Sequence, residues 1–121
     1  MKALPILIVE DDSDFQDIYQ LYFQGESFQV LTALNGKEAI AVLEKETPDL
    51  IILDLIMPVM DGEEFYVWLR GQAKWRDVPV IVASVNEKLP QRMTDLGGIA
   101  GNLKKPFLID ILIEKIRANL K

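Results

Sequence analysis

The stretch "IILDLIMP", Ile51 to Pro58, decides how this chain is read. Its aliphatic start has no polar alternation, which suits a strand covered on both faces, as in a parallel sheet. Asp54 breaks the run, and apolar residues resume at once. A carboxylate in such surroundings is costly unless it is paired or meets a cation. The rest of the sequence has to supply the reason for it.

Working outward, similar aliphatic runs occur at "LPILIV" (Leu4–Val9), "FQVLTA" (Phe28–Ala33), "LIIL" (Leu50–Leu53), "VPVIVA" (Val78–Ala83) and "GNLK" (Gly101–Lys104). Helical periodicity fills the gaps. The first helix is predicted over Ser13–Phe23, with Phe15, Ile18, Tyr19 and Tyr22 as its inner face and Ser13-x-x-Gln16 as a capping box. A second spans Gly36–Glu46 behind Asn35. A third follows Asp61-x-x-Glu64 and presents Phe65, Trp68 and Leu69. A short fourth covers about Leu89–Leu96, with Pro90 in its first turn and Leu89, Met93 and Leu96 as a thin apolar face. The fifth covers Leu108–Leu120, with a core stripe of Ile109, Leu112, Ile113, Ile116 and Leu120 that leaves Leu108 and Ile111 outside. Strands alternating with helices imply parallel pairing through βαβ crossovers. The expected fold is α/β: a doubly wound, five-stranded parallel sheet with five helices, flavodoxin-like, as one domain over residues 1–121.

Composition narrows the function. The 121 residues hold no Cys and no His. That removes disulfides, thiolate chemistry, a His base and a His metal ligand. A net charge of −6 argues against direct binding of nucleic acid or an anionic membrane. No apolar run approaches the ~20 residues of a membrane span, and "MKALPILIVEDD" lacks the pattern of a signal peptide. A cytoplasmic protein is expected.

In doubly wound sheets, ligands bind beyond the carboxyl ends of the strands. That edge collects Glu10, Asp11 and Asp12 after the first strand, Asp54 after the third, Ser84 after the fourth, and Lys104 and Lys105 after the fifth. Each has a structural reading. Asp12 or Ser13 can cap the next helix, Ser84 can serve a turn, and the lysines can be a solvated pair. Together they point elsewhere. Grouped carboxylates repel unless a cation joins them, and an all-oxygen set suits a hard ion such as Mg2+. Carboxylate, hard metal, ammonium and hydroxyl are the parts used in phosphoryl transfer.

These residues carry a resemblance. "ILIVEDD", "PDLIILDLIMPVMDG", "PVIVAS" and "KKPF" stand in the order found in response-regulator receiver domains of two-component signalling, and the resemblance covers essentially the whole chain. It implies that Asp54 is the phosphoacceptor, attacking a phosphohistidine on a histidine kinase or histidine phosphotransfer protein. It implies that Glu10, Asp11, Asp54 and the backbone carbonyl of Ile56 hold Mg2+. Lys105 would pair with a phosphoryl oxygen, leaving Lys104 mostly exposed, and Ser84 would bond another phosphoryl oxygen. Asp12 would take a capping or outer-sphere role. A cis bond before Pro106 is common in the family. Leu55, Ile56 and Met57 are expected to wall the site.

The resemblance also marks departures. Where the family usually has an aromatic switch residue, this chain has Asn102; where Ala or Gly often follows the Ser, it has Val85. Either Asn102 replaces the aromatic residue through an amide hydrogen bond, or signalling relies on the fourth helix alone; Ser84, the 85–89 loop and the fourth helix are expected to move together. A downstream effector, or a second copy forming a homodimer, would use the face of the fourth helix, last strand and last helix. Trp68 and Trp75 are expected to pack rather than bind. Such a domain modifies itself but turns over no separate substrate. Two other readings stay open: a phosphorylation-independent interaction module, and a Mg2+-dependent phosphatase, which would usually carry an acid where Ile56 stands. The sequence stops at Lys121 without an output domain, as in a stand-alone receiver or an excised one.

Overall fold

Five apolar runs become strands: β1 (Leu4–Val9), β2 (Phe28–Ala33), β3 (Leu50–Leu53), β4 (Val80–Ser84) and β5 (Ile99–Lys104). The helices between and after them are α1 (Ser13–Phe23), α2 (Gly36–Leu43), α3 (Gly62–Arg70), α4 (Gln91–Leu96) and α5 (Ile109–Asn119), with a 3-10 turn at Ala73–Trp75. These assignments come from a computed structural model that describes residues 3–86 and 88–120. Met1, Lys2, Glu87 and Lys121 lie outside the described residues, and so do the ends of the expected domain and one residue of the 85–89 loop. The sheet is wholly parallel in the order β2-β1-β3-β4-β5. The fold is the expected doubly wound α/β architecture.

The period-2 geometry of a strand sorts the core into two layers. Ile6, Ile8, Leu50, Ile52, Ile81 and Ala83 face α1 and α5, where they meet Tyr19, Phe23, Leu112, Ile113 and Ile116. Their neighbours Leu7, Val9, Ile51, Leu53, Val80 and Val82 face α2, α3 and α4, where they meet Ala39, Leu43, Phe65, Tyr66, Leu69 and Met93. Every residue of the central β3 and β4 is buried, whereas the edge strands β2 and β5 are mixed. This is why the central strands read as unbroken apolar runs.

The differences from expectation have physical causes. β4 begins two residues late because Pro79 has no N–H for the ladder, although its carbonyl still accepts from Ile51 N at 3.0 Å. Of the two cap candidates for α1, Asp12 takes the position and the Ser13-x-x-Gln16 box does not form; the Asp12 carboxylate accepts from the N–H groups of Asp14 and Phe15. The inner face of α1 is Gln16, Tyr19 and Phe23, while Ile18 and Tyr22 are 41% and 55% exposed. Gln16 goes inside because its Nε2 donates to the carbonyls of Ile8, Glu10 and Ala33 at 3.0–3.2 Å. α2 ends at Leu43 rather than Glu46. Pro90 is the cap position of α4, so Leu89 precedes that helix, and Leu96 is exposed; Met93 alone is fully buried from α4. The stripe on α5 is as expected, with Leu108 and Ile111 outside it. Trp75 is buried, and Trp68 packs against the α3 side of the core. No helix among the described residues is long and apolar enough to cross a membrane.

One backbone strain stands out. Val59, in the loop from β3 to α3, has φ of 68°. A β-branched residue in the left-handed region costs about 1–2 kcal/mol. Its side chain is 75% exposed, so it contributes little packing in return. Val59→Gly is expected to raise unfolding free energy by about 1 kcal/mol in urea denaturation, after the entropy of the new glycine is counted.

Candidate functional site

The site grows from the ends of the strand ladders. Beyond the last paired residues, Glu10 N donates to Ala33 O at 2.9 Å and Asp54 N donates to Val9 O at 3.0 Å. Lys105 N donates to Ser84 O at 2.8 Å. Each bond carries a parallel ladder one residue past its strand. Glu10 and Asp54 fall on the parity of Ile6–Ile8 and Leu50–Ile52, which is the α1 and α5 layer. The sheet thus brings together residues that are 44 and 51 positions apart along the chain.

The carboxylates of Glu10, Asp11 and Asp54 can place one oxygen each within 4.8 Å of one another. Glu10 and Asp54 are buried, and Asp11 is exposed. Lys105 closes the group. Its Nζ contacts Glu10 Oε1 directly and lies 3.4 Å from Asp54 Oδ2, with its side chain only 9% exposed. Burial pushes the Glu10 carboxyl up to about 7; the nearby Asp54 charge adds to the rise, and Lys105 opposes it. The donor set is all oxygen, carries three acids against one ammonium, and keeps one acid at the solvent side. It fits a hard divalent cation.

The surrounding chain fixes this geometry. Ile56 N donates to Asp54 Oδ1 at 3.4 Å, which holds residue 56 beside that carboxylate. Leu55 and Met57, expected to wall the site, instead join the core under α3; Ile56 is 55% exposed. Asp61 caps α3 in a full capping box with Glu64. Gly62 N donates to Leu55 O at 2.9 Å, and a Cβ on Gly62 would stand 2.2 Å from Asp54 O. Only glycine permits so close an approach to the backbone that carries Asp54. Asp12 N donates to Glu10 Oε2 at 3.2 Å, so the residue that caps α1 also braces that carboxylate through its backbone.

Ser84 and Lys104 complete the set of sequence candidates. Ser84 is fully buried, and its Oγ accepts from Asn86 N at 3.5 Å. Lys104 is exposed, and the Lys105–Pro106 bond is cis. Asn102 is exposed on β5, paired with Val82. The sequence did not point to three α1 residues under the site. The ring of Phe15 lies 4.2 Å from Lys105 Nζ. Gln16 ties α1 to the ends of β1 and β2. Tyr19 is buried with its hydroxyl unpartnered among the described residues; burial, aided by the charges of Glu10 and Asp54, holds its phenol well above the usual range.

Two outcomes follow from this geometry. Gly62→Ala should lose about 1–3 kcal/mol in denaturant unfolding, because overpacking against the Asp54 carbonyl outweighs the roughly 1 kcal/mol that alanine contributes to a helix. The metal-free chain should also lose stability as pH rises from about 4.5 toward 7, because native Glu10 keeps a proton that the unfolded chain has released. Thermal melts across that range should show the slope, and Glu10→Gln should flatten it.

Comparison with known proteins accords with this geometry. A family described as "Response regulator receiver domain" matches residues 6–117. The transcriptional regulatory protein PrrA of Mycobacterium tuberculosis is 36% identical over 117 residues, which are 96% of this chain and 49% of that protein. The response regulator MprA of the same species is 31% identical over 120 residues, 98% of this chain and 51% of that one. The chain therefore spans about half the length of the curated relatives it matches. Among solved structures, the receiver domain of a signal transduction histidine kinase from Syntrophus aciditrophicus superposes with a TM-score of 0.87 at 32% identity, covering 98% of this chain and 90% of that one. The response regulator TrrA of Thermotoga maritima, solved in complex with Mg2+ and BeF, gives 0.84 at 28% identity, covering 99% and 100%. A match over nearly the whole length, on a CheY-like fold with the acids, the hydroxyl and the lysine at one sheet edge, makes this chain a member of the response-regulator receiver domain family of two-component systems.

Proposed function

We propose that Asp54 accepts a phosphoryl group from a phosphohistidine on a histidine kinase or histidine phosphotransfer protein, in a Mg2+-dependent step. The observation that carries this reading is the trio Glu10, Asp11 and Asp54, with oxygens within 4.8 Å of one another and Lys105 against two of them. The TrrA relative was solved with Mg2+ and BeF, which supports the same ligands as probes of this site. Glu10, Asp11, Asp54 and the carbonyl of Ile56 would hold the ion, which when bound supplies charge neutralisation for the incoming phosphoryl oxygens.

The chain's own groups do the rest. An Asp54 oxygen attacks phosphorus, a P–O bond forms, and the P–N bond to the donor imidazole breaks. The imidazole nitrogen keeps the electron pair and takes a proton. Lys105 turns from Glu10 and Asp54 toward a phosphoryl oxygen, so one cation serves both states. Hydrolysis reverses the charge: water attacks phosphorus, and the Asp54 carboxylate leaves. The domain modifies itself and turns over no separate substrate. It acts in the cytoplasm through a downstream effector, and it contacts neither nucleic acid nor membrane directly.

The signal leaves through Ser84 and α4. Ser84 is fully buried at the end of β4, and its hydroxyl moves toward a phosphoryl oxygen, with the following loop and α4 behind it. α4 is the element with least to hold it: six residues, with Met93 alone fully buried, followed by Gly97 and Gly98 at φ of 70° and 79°. Its ends are tied to α3 by polar contacts. Arg92 pairs with Glu63 at 2.7 Å; Tyr66 OH donates to Gly97 O, and Arg70 donates to Gly98 O at 2.9 Å. The Arg92–Glu63 and Arg70–Gly98 contacts are exposed and individually weak, which suits an element that must shift.

Incubation with Mg2+ and a small phosphodonor should add the mass of one phosphoryl group to the parent and none to Asp54→Ala; an unmodified parent would defeat the proposal. Val85 follows Ser84 and Ile56 bonds to Asp54, and both side chains are 55% exposed. If they screen the acyl phosphate from water, Val85→Ala and Ile56→Asn will lose phosphate several-fold faster than the parent in a decay assay. Amide exchange should also change in α4 when Mg2+ and beryllofluoride are added.

A further inference from the structure

We propose that Phe15 is a positioning residue for Lys105, its ring face holding the ammonium at the mouth of the site while the acids change partners. The inference rests on the phosphoacceptor reading above and adds a residue to it. Lys105 Nζ lies 4.2 Å from the centroid of the Phe15 ring, within the range of a cation–π contact. The same ammonium touches Glu10 and stands 3.4 Å from Asp54 Oδ2. Both acids have other work in the loaded site, where they face the cation and the phosphoryl group. The ring has none. It attracts the ammonium through its quadrupole, exchanges no proton and neutralises no charge, so the lysine keeps its full charge for the anion.

The ring is well placed to serve as a fixed support. Phe15 sits in the first turn of α1, where Asp12 accepts its N–H at 3.4 Å. Behind it runs an aromatic ladder: Phe15 to Tyr19 at 6.2 Å, Tyr19 to Phe23 at 6.1 Å, and Phe23 to Phe28 at 5.5 Å between ring centroids. Tyr19 and Phe23 are fully buried, so the ladder anchors the ring to the core. A leucine at position 15 would fill much of the same volume without a π face. Apolar filling and ammonium positioning therefore separate in one substitution.

The test has two arms. In the unliganded chain, the ε-methylene protons of Lys105 should resonate upfield of ordinary lysines through the ring current of Phe15. Phe15→Leu should abolish that displacement, and Phe15→Trp should keep it. Calorimetric titration with beryllofluoride in saturating Mg2+ should then show about fivefold weaker binding in Phe15→Leu, restored in Phe15→Trp. In a Lys105→Ala background the same Phe15→Leu change should have no effect, as a double-mutant cycle requires of a coupled pair. Undisplaced lysine resonances, or an equal loss with and without Lys105, would overturn the assignment of Phe15. A parent that binds no beryllofluoride would instead defeat the phosphoacceptor reading, and the resonance arm would still decide the ring contact.

Discussion

Mutual repulsion among Glu10, Asp11 and Asp54 is the constraint on which the rest of this molecule depends. Two like charges at ~4 Å cost about 4 kcal/mol at an effective dielectric near 20. Lys105 is the ammonium that contacts the group, and it reaches two of the three acids. Burial is the main reason the Glu10 carboxyl is raised, and the charge of Asp54 adds to the rise. Such a cluster persists because the backbone leaves it no alternative. Extended ladder bonds at Glu10, Asp54 and Lys105 pin all three chains where β1, β3 and β5 end.

The fold supplies that pinning through its dry centre. β3 and β4 are buried throughout, and their alternate side chains serve two separate helical layers. A strand locked on both faces cannot slip by one residue without inverting every side chain. Asp54 inherits this register directly from Leu50 and Ile52. Gly62 adds a second lock by bringing the start of α3 against the Asp54 carbonyl. Stability and site geometry are thus one property in this region. α4 is built the other way, with little buried surface and polar ties at its ends, so the molecule pairs a rigid acid cluster with a loosely held neighbour.

Most of the sheet was legible in the sequence because unbroken aliphatic runs leave few other placements. The acids, Ser84 and Lys105 were legible as a group because strand ends share one edge. The face of α1 was legible only in part: Phe15 and Tyr19 pack inward as read, but Ile18 and Tyr22 do not. Gln16 looks like a solvent residue, yet three backbone carbonyls at the ends of β1 and β2 satisfy its amide. Those partners exist only after the sheet forms. Once Gln16 turns inward, Ile18 and Tyr22 must turn outward, and Phe15 comes to lie beside Lys105. The spacing of Phe15, Tyr19 and Phe23 at successive fourth positions was the available signal for the correct face. Between the cap candidates Asp12 and Ser13, Asp12 prevails because its carboxylate reaches the N–H groups of Asp14 and Phe15.

The central claim is that these distant acids converge to share one cation beside a phosphoryl group on Asp54. Crystals grown with Mg2+ and beryllofluoride test it most directly. The account predicts beryllofluoride on an Asp54 oxygen, with an ion about 2.0–2.1 Å from Asp54 and an acid of β1's end, and Lys105 moved onto a fluoride. A well-ordered site with neither ligand beside Asp54, and Lys105 still on Glu10, would contradict it.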